Sequence, residues 1–354
     1  MSRKLAALSG GVDSAAALLL TLKAGDECEG LTLALAPAED EARSAADRQN
    51  IEDAAALCRF LGAEHRVLAA AEAFSERVIA PFARDYLAGR TPNPCILCNR
   101  EIKFALLSEY AEAHGFDGIV TGHYARLSES DGFVWLRRAA DPSKDQSYML
   151  ALLTQEQLRR ASFPLGELTK AEVRALAEEN GLPAAHRKDS QDICFIPGGD
   201  YVRFLTDYTG SAPEPGQYVD AAGHPLGQHR GQLCYTIGQR KGLGISLGKH
   251  AFVLSKDAAS NTVTLGDEEA LFRRTVTLGK LHLPSDPHIL DGEIRCTAKL
   301  RYAHKPAPAV FHREEEGGVL EFDTPQRAPA PGQYAVLYGD DTVLGAGVIV
   351  SYSA

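Results

Sequence analysis

The sequence predicts an α/β protein: a doubly wound, mostly parallel sheet, followed by a small central domain and a C-terminal all-β domain. Two observations carry this expectation. Strand-like and helix-like segments alternate through the first half of the 354 residues, and strands separated by helices imply crossovers and a parallel sheet covered on both faces. From about residue 270 only short β-type runs remain, separated by turn residues, which is the pattern of a small barrel or sandwich.

Taken in order, KLAALS at 4–9 reads as a buried strand and leads into a glycine turn. Ser14–Ala24 is rich in Ala and Leu and stops at Gly25, as a helix would. GLTLALA at 30–36, HRVLAA at 65–70 and GIVTGHY at 118–124 are further strands. Helical patterns cover 43–61, closed by Gly62, then 72–88, 100–113, 154–160 and 169–180. Residues 206–226 turn to Gly, Pro and polar residues, and TVTLGKLHL, GEIRCTAKL, PAVFHR, VLEFD, QYAVLY and VLGAGVIV follow. The expected partition is therefore 1–205, a linker-like domain at 206–268 and an all-β domain at 269–354.

Composition narrows the class. With 45% apolar and 24% charged residues the chain is ordinary globular material. Its longest apolar stretches, at 15–20 and 31–36, fall short of the roughly 18 residues a membrane span needs. A strand beginning at residue 4 leaves no expected signal or transit peptide before the fold. Seven cysteines without regular spacing suit reduced thiols and a cytoplasmic location. A net charge of −10 speaks against a nucleic-acid partner, but the charge is segregated. Residues 221–256 lack Asp and Glu yet carry Arg230, Arg240, Lys241, Lys249 and Lys256; residues 295–305 repeat the pattern with Arg295, Lys299, Arg301 and Lys305. Phosphates respond to such strips rather than to the total, which points to a polyanion.

Ser9-Gly10-Gly11-Val12-Asp13-Ser14 lies between the first strand and first helix. That geometry presents backbone N–H groups and a positive helix end to phosphates, and the glycines allow close approach. Asp13 is out of place there unless Mg²⁺ or another cation shares its charge. No GxxxxGK[ST] occurs, and GLGISLG at 242–248 has the wrong spacing for a dinucleotide fingerprint. SGGVDS instead resembles the PP-loop of the ATP pyrophosphatases, which split ATP into AMP and pyrophosphate to adenylate a carbonyl oxygen.

The second informative stretch is Thr91-Pro-Asn-Pro-Cys95-Ile-Leu-Cys98. Prolines exclude helix up to Pro94, so Cys98 falls near a helix N-terminus, where the dipole is expected to favour thiolate. A structural zinc site would need a second CxxC, and none occurs, so the motif favours a redox or nucleophilic pair. Cys194, in DSQDICFI, reads on its own as a buried core cysteine. Cys28, Cys58, Cys234 and Cys296 fall in apolar patterns and are assigned to cores.

Together these segments resemble the bacterial tRNA-specific 2-thiouridylases (MnmA type). SGGVDS, GRTPNPxxLCNxxIKF at 89–104, TGHYAR at 121–126, KDQSYML at 144–150, KDSQDICFI at 188–196, GQRKGLG at 238–244, RCTAKLRY at 295–302 and PGQYAVLYxxxxVLGAGVI at 331–349 stand in family order over nearly the whole chain. The resemblance implies a PP-loop domain, a central domain and a tRNA-contacting barrel. It implies ATP, with Mg²⁺, held by Ala7, Leu8, Ser9, Gly10, Gly11, Val12, Asp13 and Ser14, with Leu33 at adenine and Gly122 bordering the nucleotide. The implied substrate is the wobble uridine of tRNAs for Lys, Glu and Gln, adenylated at its 2-oxygen after flipping out of the anticodon stack. Cys194 would receive persulfide sulfur from a donor or carrier protein, and Cys98 would resolve it, leaving a Cys98–Cys194 disulfide. Asn93, Pro94 and Cys95 match the segment touching the target base; His123, Lys144, Asp145, Gln146, Arg301, Tyr302 and Gln333 match tRNA contacts.

One position departs from the family. Many members carry Asp where this chain has Cys95, so an acid/base role there does not carry over. Cys95, Cys98 and Cys194 could alternatively hold a 4Fe–4S cluster with one open iron, as in related tRNA thiolases. Two other readings compete: a PP-loop amidotransferase or ligase with a small-molecule acceptor, and a tRNA-binding factor that uses ATP only as a switch. Neither requires the Cys98/Cys194 pair.

Overall fold

The structure is a computed structural model that describes residues 1–37, 40–187 and 193–353. Five parallel strands form the first sheet: β1 (Arg3–Ala7), β2 (Glu27–Ala34), β3 (His65–Ala69), β4 (Gly118–Val120) and β7 (Ala161–Ser162). Their order is β3-β2-β1-β4-β7. The chain winds outward to β3 on one side of β1 and to β4 and β7 on the other, so the order reverses between β1 and β4. In open parallel sheets ligands bind at the carboxyl ends of the strands flanking such a switch point. SGGVDS follows β1 and TGHY follows β4.

Helices cover this sheet. The first, α1 (Val12–Lys23), packs Ala15, Ala16, Ala17 and Leu18 against α2 (Glu41–Leu61), whose left-handed Gly62 closes it as expected. Two longer helices, α3 (71–87) and α4 (94–113), each contain a π-helical turn, at Ser75–Ile79 and Asn99–Phe104. Such turns commonly mark functional segments. Further along lie α5 (Ser147–Leu150), α6 (Gln155–Arg160), α7 (Lys170–Glu179) and α8 (Tyr201–Thr209). Helix α8 runs across 205–206, so the change of texture in the sequence falls inside a helix.

Strands β8 (Gly216–Val219), β9 (Pro225–His229), β10 (Phe252–Asp257) and β11 (Thr262–Gly266) form a separate sheet around Tyr218, Tyr235, Val253 and Val263. Six antiparallel strands then close on themselves: β12 (Phe272–His282), β13 (Glu293–Lys299), β14 (Ala307–Arg313), β15 (Gly318–Arg327), β16 (Tyr334–Gly339) and β17 (Thr342–Ser353). The closing pair is β12–β17, which makes a barrel rather than a sandwich.

The sequence reading has no counterpart for the hairpin β5 (Ala125–Ser130)–β6 (Phe133–Arg138), which leaves the first domain and meets β17 at the Arg137–Thr342 pair. Asp341 fixes that junction. It accepts from Arg126 at 2.9 Å and from Arg137 at 3.0 and 2.6 Å. No helix among the described residues is long and apolar enough to cross a membrane.

Candidate active site

The phosphate loop forms because β1 ends on a backbone that glycine alone accommodates. Gly10 has φ +73°, and a Cβ there would lie 2.7 Å from Arg187 Nη1. Gly11 is the N-cap of α1 and offers no side-chain acceptor, so the first-turn N–H groups point outward uncapped. Inside the loop, Ser14 Oγ accepts from Ser9 N at 3.3 Å and donates to Gly11 O at 2.9 Å. Gly122, after β4, lies against this turn; a Cβ would sit 2.6 Å from the backbone at Asp13 and Ser14. Ala7, Leu8, Val12 and Leu33 supply the apolar floor, with Leu33 reaching two clusters at once.

Asp13 does have a cation beside it, and it is a lysine. Lys170 Nζ, at the start of α7, donates to both Asp13 oxygens at 2.7 and 2.8 Å, and Tyr124 OH donates at 2.8 Å. The sequence reading missed both partners. A Thr169–Glu172 capping box places Lys170 at a helix start, but nothing local ties it to a residue 157 positions away. Charge balance and free N–H groups make the loop fit a polyphosphate. Its carboxylate is already engaged, and among the described residues no three His, Cys, Asp or Glu side chains gather as a metal site. Cys95, Cys98 and Cys194 are all free thiols, and Cys95 and Cys194 both act electrostatically on Cys98.

Asn93 starts α4, accepting from the N–H groups of Cys95 and Ile96 at 3.2 and 3.4 Å, with Pro94 in the first turn. Cys98 lies one turn further in and is buried beside Phe195 and Ile196, with Ile193 packed against the same cluster. The residues flanking Cys194 thus reach the Cys98 cluster, although the two are 96 positions apart. Cys194 itself is exposed, correcting the core assignment, and both thiols are free.

The expectation of a dipole-favoured thiolate is also corrected. Burial pushes the Cys98 thiol up to about 12; Lys103 opposes this and the neighbouring Cys194 and Cys95 add to it. Cys95 and Cys194 are raised as well, chiefly by desolvation against surrounding protein, with Lys103 again opposing. Among the core cysteines, Cys28, Cys58 and Cys296 are buried, whereas Cys234 is only partly so.

The remaining predicted residues divide by what they touch. His123 accepts or shares a proton with Thr121 Oγ1 at 2.8 Å between the Phe104 and Phe163 rings, and burial lowers it to about 3, with Lys103 adding to the effect. Asp145 is buried, its carboxylate accepting from Ala139 N, Ser147 N and Ser147 Oγ. Gln146 Oε1 accepts from Tyr124 N at 2.9 Å. Gln333 Nε2 donates to Thr91 O and Pro92 O at 2.9 and 3.2 Å, clamping the barrel to the proline loop. All four are held by hydrogen bonds within the protein. Lys144 and Arg301 are partly exposed, and Tyr302 is exposed, its ring 6.2 Å from that of Tyr148 with Lys299 over both. Lys188, Asp189, Ser190, Gln191 and Asp192 lie outside the described residues.

Residues 2–198 match the family model described as tRNA methyl transferase HUP domain, 202–267 the tRNA methyl transferase PRC-barrel domain, and 273–349 the aminomethyltransferase beta-barrel domain. The tRNA-specific 2-thiouridylase MnmA of Treponema denticola is 43% identical over 98% of this chain and 97% of its own length. That of Acidithiobacillus ferrooxidans is 44% identical over 98% of each. The chain belongs to the tRNA-specific 2-thiouridylase family. Its Moorella thermoacetica relative of the same name is 44% identical over 98% of this chain and 99% of its own. A 4-thiouridine synthetase–RNA complex with bound ATP is 18% identical over 58% of this chain and 50% of that one; with a TM-score of 0.36, it carries no functional weight.

Proposed function

We propose that this 2-thiouridylase-family chain catalyses ATP-dependent 2-thiolation of the wobble uridine of tRNAs for Lys, Glu and Gln, in the reducing cytoplasm. ATP, bringing Mg²⁺ on its own phosphates, lies along 7–14 with adenine toward Leu33. The uridine 2-oxygen attacks the α-phosphorus, pyrophosphate leaves, and the ring carbon now carries AMP as its leaving group. A persulfide donor or carrier protein loads Cys194. The terminal sulfur bonds to that carbon and AMP departs with the oxygen. Cys98 thiolate then attacks the Cys194 sulfur, so the S–S bond to the product breaks and a Cys98–Cys194 disulfide forms, which an external thiol reduces. Residues 1–205 would act as the ATP-using unit, 206–268 as the connector and 269–354 as the tRNA-contacting barrel. Asn93, Pro94 and Cys95 would border the base, with His123, Lys144, Arg301 and Tyr302 toward tRNA, and Asp145, Gln146 and Gln333 shaping the walls.

What supports this reading is a phosphate loop at the switch point whose Asp13 is paired with Lys170, together with two thiol-bearing segments that pack into one cluster near the end of β2. The decisive assay incubates the chain with ATP, a persulfide donor and unmodified tRNA, and reads nucleosides by mass spectrometry with AMP and pyrophosphate. Equal yields of 2-thiouridine, AMP and pyrophosphate, lost in Cys194→Ala, are expected. Thiolation retained without Cys194, dependence on protein-bound iron and acid-labile sulfide, or methylated uridine in place of thiouridine would each overturn it.

A further inference from the structure

Adenylation and sulfur transfer must keep step, and helix α2 joins the segments that perform them. Arg43, Asp47, Asn50 and Asp53 are partly buried and spaced four, three and three residues apart, so they line one helix face. At one end, Asp47 Oδ2 accepts from Leu35 N and Ala36 N at 2.6 and 2.7 Å, while Arg43 Nη2 donates to Leu35 O at 3.2 Å. Both charges act on the Cys194 thiol. At the other end, Asn50 Oδ1 accepts from Arg187 Nη2 at 2.7 Å and Asp53 pairs with Arg187 Nη1.

Arg187 Nη1 also donates to Gly10 O at 3.0 Å. The guanidinium thus sits against the phosphate loop, 2.7 Å from where a Cβ at Gly10 would lie, with Asn50 O and Asp53 Cβ at 3.2 Å. Arg187, which ties the loop to the helix, precedes Cys194 by only seven residues in sequence. Its planar fork serves three acceptors on two elements at once, which a lysine could not.

We propose that Arg187, with Asn50 and Asp53, is a positioning residue that couples the phosphate loop to the Cys194 segment through helix α2. Occupancy of the loop and placement of the sulfur are then set together, and the adenylated base meets sulfur before water. Without the coupling, water attacks the activated carbon, uridine is restored, and AMP is released with no thiouridine formed. The inference rests on the thiolation reading above.

The test measures AMP and 2-thiouridine in the same reaction for the full-length chain, Arg187→Gln and Asn50→Leu. A lost coupling of ordinary allosteric size, about 1–3 kcal/mol, corresponds to a 5–150-fold change. The expected result is a ratio of AMP to thiouridine at least ~5-fold above wild type in Arg187→Gln, and a smaller rise in Asn50→Leu, which leaves the Asp53 pair in place. An unchanged ratio in Asn50→Leu and any folded Arg187→Gln, including one where both products fall in proportion, would overturn the proposal. Absence of thiouridine from the wild-type chain would instead sink the thiolation reading itself.

Discussion

Replacing Lys170 with methionine removes the ammonium that contacts both oxygens of Asp13 at 2.7 and 2.8 Å and leaves the carboxylate beside the phosphate loop with its Tyr124 hydrogen bond but without that cation. A unit negative charge ~5 Å from a phosphate oxygen, at an effective dielectric of ~20, costs about 3 kcal/mol. Asp13 is about a third exposed, so solvent screens part of this, and a loss of about 1.5–2.5 kcal/mol remains. ATP binding should weaken by ~10–70-fold. Calorimetric titration with a non-hydrolysable ATP analogue reads this directly. The double substitution Asp13→Asn with Lys170→Met should recover most of the loss, because no unpaired charge then faces the phosphates. Unchanged affinity in Lys170→Met, or a double variant as weak as the single one, would refute the account of Asp13 as a neutralised residue.

The remaining expectations concern titration and assembly. With Cys98 held up to about 12 and an ordinary thiol near ~8.5, its thiolate fraction at pH 8 is about a thousandfold lower; iodoacetamide followed by peptide mass spectrometry should label exposed Cys194 first, and Cys98 tenfold faster per pH unit gained. Because the folded value lies above the unfolded one, Cys98 stabilises the fold fully below ~8.5 and that contribution is lost as pH climbs toward 12, so Cys98→Ala should flatten the alkaline limb of a denaturation profile. His123 has the opposite sign: its folded value near 3 lies below the unfolded ~6.5, so stability falls as pH drops between them and His123→Gln should be less acid-sensitive. Gln333→Ala removes two hydrogen bonds to the proline loop, about 1–2 kcal/mol, and should raise KM for tRNA several-fold while leaving ATP affinity within twofold.

Where the chain spoke through local rules, the reading matched the structure closely. The Ala/Leu run after SGGVDS, Gly62 as a helix stop, and the prolines ahead of Cys95 each act within one turn, so α1, α2 and the start of α4 were legible. Strand order was not, because a crossover leaves no trace of which side of β1 it returns to. The β5–β6 hairpin does carry a signal, Asp131-Gly132, and both residues adopt positive φ, but it lies between the TGHYAR and KDQSYML motifs, where the sequence reading assigns no element. Site chemistry divides the same way. The loop and cysteine motifs announced themselves, whereas Lys170, Tyr124 and Arg187 reach the loop through partners 111 to 177 residues distant. The thiol pKa error has a physical cause too: a helix end contributes a fraction of a unit charge, and burying the thiol outweighs it.

Asp341 holds two arginines of the β5–β6 hairpin to the barrel, and Gln333 holds the barrel to the proline loop. Two separate rivets therefore join the barrel to the first domain, one through the β5–β6 hairpin and one through the proline loop, and cutting either leaves the other to hold the two together.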